Sequence, residues 1–166
     1  MILGMTTSTF TLIHVLLSLA GIGAGFIVVY GLLTGKRLDG WTAIFLATTA
    51  LTSLTGFLFP VEHILPSHIV GIISLVVLAV AIVARYAFHL ANAWRWIYVV
   101  CAMLALYLNS FVAVVQSFLK MPALKALAPT QKEPPFLVAQ LAVMAVFIAL
   151  GILSVRRFHV ERAAAG

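Results

Sequence analysis

Long apolar runs, broken by short polar stretches, make up most of the chain. The runs cover residues 9–33, 41–59, 67–90, 96–119 and 136–158. A helix needs about 20 apolar residues to cross the hydrocarbon core of a bilayer, and each run is of that order. None alternates with the two-residue period of a membrane strand, and each is too long for one. The pattern predicts an all-α fold: an integral membrane bundle of five transmembrane helices, forming one transmembrane domain over residues 1–166.

The breaks have clear chemistry. TGKRLDG (34–40) carries glycine and charge, and PVEHILP (60–66) is bracketed by prolines, which do not continue a helix. Residues 92–95 make the third connection. KMPALKALAPTQKEPP (120–135) is the long one, with room for one amphipathic turn between Pro122 and Pro129. The first run lacks a basic flank before it and is longer than the 7–15 residues or so of a signal peptide, so it is expected to be a retained span. There is no internal repeat.

Composition agrees with this pattern. Hydrophobic residues are 64% of the chain and charged residues 8%, against about 45–50% and about 25% in soluble domains. So few charges could not cover that much apolar surface in water. The net charge of +6 changes the picture only in one respect. Its cations sit at span ends, where they set topology, so nucleic acid is not an expected partner. With five crossings, Lys120, Lys125 and Lys132 fall on one side; Lys36, Arg37, Arg85, Arg95, Arg156, Arg157 and Arg162 fall on the other. The richer side is expected in the cytoplasm, giving a multi-pass protein of the bacterial inner (plasma) membrane with its amino terminus outside. Arg85 and His89 are expected to snorkel to the inner interface. The lone Cys101 excludes an intrachain disulfide and a Cys-x-x-Cys motif.

Polar residues inside spans are the candidates for chemistry. His14, Ser18, Gly21, Gly25 and Val28 share one helical face, and Gly21/Gly25 and Gly31/Gly35 are G-x-x-x-G pairs suited to close helix approach. His14 is therefore expected to face a neighbouring helix, either as a hydrogen-bonded packing residue or as a ligand. His68, Gly71, Leu75, Leu78, Ile82, Arg85 and His89 form a second stripe. Asn109, Gln116 and Gln140 have the plain reading of interhelical hydrogen-bond donors. Thr48, Thr52 and Thr55 are expected to bond their own backbone carbonyls. Considered together, His14, Glu62, His63, His68, Gln116 and Gln140 fall at or near the outer side, which predicts an outer polar pocket. The pocket residues are His14, His68, Gln116, Gln140 and Asn109, with the 120–135 loop as its lid or wall.

Three histidines and a carboxylate also suit a metal, with His14, His68, His63 and Glu62 as candidate ligands. Haem b would need two facing imidazoles. HIVGIISLVVLAVAIVARY (68–86) resembles the haem-binding helix of small bacterial transmembrane b-type cytochromes, and TLIHVLL (11–17) is similar to their first histidine-bearing helix. The resemblance implies His14 and His68 as axial ligands, with Gly71 leaving room for the porphyrin. That family pairs four histidines in four spans, whereas this chain offers His89 only the terminal His159 as a partner. FLKMPALKALAPTQKEPPF (118–136) is similar to small multi-pass bacterial inner-membrane proteins, which implies a compartment and not a chemistry.

No serine elbow, Cys–His pair or phosphate loop is present, so no catalytic residue is expected. Nor do charged mid-membrane residues or matched helix breaks suggest a transporter. The expected function is an accessory or small-ligand-binding bundle, for lipid or quinone; the alternative is a b-type haem or metal-binding redox protein. The expected partners are the lipid bilayer and other membrane subunits or a second copy of the chain.

Overall fold

The computed structural model describes residues 1–60 and 66–159; Glu62, His63 and Arg162 lie outside the described residues. It is all-helical in its named elements: α1 (Thr7–Thr34), α2 (Asp39–Gly56), α3 (Pro66–Ile82, continued by a π-helical turn Val83–Ala87), α4 (Trp94–Lys120), α5 (Pro122–Leu127) and α6 (Pro134–Arg157). α1, α3 with its π turn, α4 and α6 are long and apolar enough to cross a membrane. α2 has only 18 residues and is interrupted by threonine and serine, so it does not join that set on composition.

Local chemistry sets the helix ends. Thr6 caps α1 by accepting the Thr9 amide on its side chain. Gly35 ends α1 in the left-handed conformation (φ 71°) and donates its N–H to the Gly31 carbonyl. The expected Gly31/Gly35 seam is thus a helix terminus: only Gly31 is closely approached, by Leu38, and Gly35 has nothing near it. α5 and α6 each begin at proline, where the missing N–H has no cost. Arg95, at the start of α4, donates to the carbonyls of Val155 and Phe158 at the end of α6, where the helix leaves carbonyls unpaired.

Successive long helices run antiparallel. Along α1, His14 meets Thr55, Gly21 meets Thr48 and Thr49, Gly25 meets Phe45, and Gly31 meets Leu38. The descending numbers show α2 lying along the whole of α1. Ser53–Ser74 and Asp39–Arg85 pair α2 with α3 in the same sense. Gln140–Phe111 and Phe158–Arg95 pair α6 with α4. α4 is central, contributing buried Tyr98, Val99, Ala102, Ala105 and Leu106 to a core shared with Ala24, Val28, Phe45, Leu78 and Phe147. Outward-facing residues are large and apolar, among them Leu16, Leu19, Ile72, Val76, Val138 and Ile148, the surface a bilayer solvates.

The end of α3 corrects the expected snorkelling of Arg85. Arg85 stays on the face of buried Leu78, seven residues earlier, while the π turn rotates the positions beyond it, His89 among them, off that stripe. Arg85 turns inward and is 3% exposed; it pairs with Asp39 at the start of α2 and lies 5.2 Å from the Tyr98 ring centroid. His89 instead sits in an irregular turn at φ 49° and is exposed.

Candidate functional site

At the end of the bundle where α1 and α3 begin and α2 and α4 finish, the helices enclose a cavity of about 420 Å³. Four of the expected pocket residues line it: His14 from α1, His68 from α3, and Asn109 and Gln116 from α4. Phe57 and Phe59, just beyond α2, supply aromatic wall, and Lys120 closes α4 at the rim. Small residues leave the space open, notably Gly56 and Gly71.

His14 is placed by the α1 stripe. Gly21 and Gly25, about two and three turns further on, are buried against α2 and α4, which turns the whole stripe inward. The His14 Nδ1 lies 2.8 Å from the Thr55 hydroxyl. That hydroxyl has one proton, and it points at the Leu51 carbonyl, 2.7 Å away. Thr55 Oγ1 therefore accepts, and His14 Nδ1–H donates. In the neutral ring this tautomer leaves the lone pair on Nε2. Phe59 meets the imidazole edge-on, with centroids 5.2 Å apart.

The other lining groups differ in their freedom. Asn109 is buried and engaged: Ser18 Oγ donates to its Oδ1 at 2.7 Å, and its Nδ2 donates to the Ser18 carbonyl at 3.3 Å. It serves as interhelical hydrogen-bonding residue at the cavity floor, the plain reading of a membrane asparagine. Gln116 is exposed and makes no side-chain hydrogen bond among the described residues. His68 packs against Phe57, with centroids 5.6 Å apart. Thr48, Thr52 and Thr55 each bond the carbonyl four residues back, as expected.

Two expected members lie elsewhere. Gln140 is in the α4–α6 seam, donating to the Phe111 carbonyl at 3.3 Å, and does not line the cavity. Its depth suits the pocket, but α6 packs on the far side of α4. The 120–135 loop also departs from the expected lid. Gln131 donates to the Val115 carbonyl and ties the loop back onto α4, and Lys120 alone of that segment reaches the cavity.

The metal and haem candidates were tested against the same geometry. Among the described residues no group of three or more His, Cys, Asp or Glu side chains is placed to hold a metal ion; the Glu62 and His63 candidates lie outside those residues. For haem, the space beside Gly71 would have to receive a porphyrin. The Phe57 ring already fills it, with its Cζ 3.0 Å from where a Cβ on Gly71 would sit.

The sequence reading missed Phe57, Phe59 and Thr55 as site components. Their signal was faint: aromatics at a span end are ordinary membrane anchors. Comparison with protein-family models, with curated proteins and with solved structures gives no match.

Proposed function

We propose that the protein is a five-crossing membrane bundle that binds a small amphipathic molecule, a lipid or a quinone-type head group, in the cavity around His14. The observation that carries this reading is the convergence of His14, His68 and Gln116 with two phenylalanines on one cavity bounded by apolar helices. Ligand sites combine mostly apolar walls with a few placed polar groups, and a cavity at a membrane helix end suits a molecule whose tail remains in lipid.

The fifth crossing is α2. It runs antiparallel along α1, with Asp39 near one end of the bundle and Thr55 near the other. Eighteen residues span about 27 Å at 1.5 Å each, close to the hydrocarbon thickness. Thr48, Thr52 and Thr55 are compatible with lipid depth because their hydroxyls bond within the helix. With α2 crossing, the cation-poor end carries the cavity. The positive-inside rule then puts the cavity and the amino terminus outside the bacterial inner membrane, and the Arg85–Asp39 end in the cytoplasm.

The test is mass spectrometry of small molecules retained by protein extracted in mild detergent, comparing wild type with Gly56→Leu. A Cβ at Gly56 would lie 3.7 Å from His14, an ordinary contact, so the longer side chain fills the cavity without straining the helix. Wild type is expected to retain a specific molecule and Gly56→Leu to lose it. Equal retention, or none by either protein, would count against the reading.

A further inference from the structure

The hydrogen bonds around His14 say more than that a head group fits; they say which kind. Thr55 Oγ1 lies 2.7 Å from the Leu51 carbonyl and 3.1 Å from that of Thr52. The Leu51 carbonyl keeps its own helix N–H in either case, but turning the threonine proton toward His14 would set two oxygen lone pairs against each other at 2.7 Å with no proton between them. The threonine is thus an acceptor toward the imidazole, held so by its own helix. The ring must donate from Nδ1, and Nε2 is left to accept. Among the described residues no side chain is seen donating to it: Phe59 meets the ring edge-on, Gly56 lies beside it, and the Lys120 ammonium stands at the rim of the same cavity.

We infer that the His14 site selects ligands bearing an aromatic hydroxyl, so that a hydroquinone or phenol head group binds in preference to the corresponding quinone. The inference rests on the proposed ligand-binding role of the cavity. A hydroquinone can donate its O–H to Nε2; a quinone carbonyl would bring lone pair against lone pair. The aromatic part of the specificity comes from Phe57 and Phe59, which offer ring faces and edges to a planar head group. At the rim, the Gln116 amide can donate to or accept from a second ring oxygen, so it tolerates either redox form and does not discriminate. The Lys120 ammonium at the rim can donate to an oxygen of either form, so discrimination is assigned to His14, and Thr55 is the residue that positions its proton.

Anaerobic titration of the detergent-solubilised protein with trimethylhydroquinone and with trimethylbenzoquinone tests this. Wild type is expected to bind the hydroquinone about tenfold more tightly, the discrimination expected of one hydrogen bond in a desolvated site. Thr55→Val removes the acceptor that fixes the tautomer, and the ring can then turn its N–H to either nitrogen. This variant is expected to bind both forms with a preference near one, a change in ratio that loss of packing alone would not produce. Should it fail to fold, His14→Phe gives a second arm: the cavity wall stays aromatic, and the preference is expected to vanish.

Equal binding of both forms by wild type, or tighter quinone binding, would overturn the hydroxyl-donor inference while leaving a head-group site in place, provided Gly56→Leu abolishes that binding. Absence of binding of either form by folded wild type would overturn both. A preference that persists unchanged in Thr55→Val and in His14→Phe would show that His14 is not its source and would also overturn the inference.

Discussion

Gly23 and Gly25 are two positions apart on α1 and meet different surroundings. A Cβ at Gly25 would come within 2.5 Å of Leu106 Cδ1 and 3.1 Å of Phe45; at Gly23 it would meet nothing within 4 Å. Gly25→Leu is expected to cost about 1–3 kcal/mol through overpacking, whereas Gly23→Leu is expected to be neutral or slightly stabilising, because leucine is the better helix former. Thermal unfolding in detergent distinguishes the two. This face was legible in the sequence from the spacing of His14, Ser18, Gly21 and Gly25, since small residues at helical period can only be useful against another helix. The stripe that Arg85 shares with Leu78 pointed at the core, but its burial was not legible, because a cation near a span end ordinarily reaches for the interface. Its partner Asp39 is distant in sequence and largely exposed, while Arg85 is enclosed. Asp39→Ala leaves the guanidinium buried without its counter-charge and is expected to destabilise by about 1–3 kcal/mol, below the range for a fully buried pair because one partner is wet.

Among the elements, α6 begins with a device that responds to pH. Glu133 precedes Pro134 and accepts from the Thr130 hydroxyl, the Thr130 amide and the Lys132 amide. Partial desolvation works to raise its carboxyl pKa, but these hydrogen bonds together outweigh it and hold the group below the usual carboxylate range. A depressed pKa stabilises the fold at pH above the unfolded value, and that contribution is lost as the pH falls through the folded one. The turn at residues 130–133 is therefore expected to loosen on acidification below about pH 4.5, the ordinary value. Amide hydrogen exchange of Thr130 and Lys132, whose N–H groups the carboxylate holds, should accelerate there in wild type, after correction for intrinsic rates. Glu133→Gln, already loosened at neutral pH, should show no such step. The sequence announced the connection and its short helix through Pro122, Pro129 and Pro134, and α5 forms within that window. It did not announce that Gln131 would fold the loop onto α4 and away from the cavity, because one backbone carbonyl, that of Val115, decides the matter.

In the whole molecule, hydrophobic runs and their breaks were enough to lay out every long helix, while depth along a span did not say which neighbour a side chain meets. His14, His68 and Gln116 lie toward one end of their spans and share the cavity, with Asn109 deeper, at its floor. Gln140 shares the depth but faces α4 from the other side. Packing order around α4 makes that difference, and periodicity within one helix carries no record of it. The orientation in the membrane can be checked in a Cys101→Ala background: Thr130→Cys should react with a membrane-impermeant maleimide added to intact spheroplasts, and Lys36→Cys only after lysis. The cavity account itself depends on His14 facing inward with its proton on Nδ1. The most direct measurement is the nitrogen-15 spectrum of histidine-labelled protein in lipid bilayers near neutral pH, with His14 identified by its loss in His14→Gln. A neutral ring protonated at Nδ1 is expected, with a signal that is not broadened by a paramagnetic label carried on lipid acyl chains. A ring protonated at Nε2, or one strongly broadened by the lipid-borne label, would contradict it.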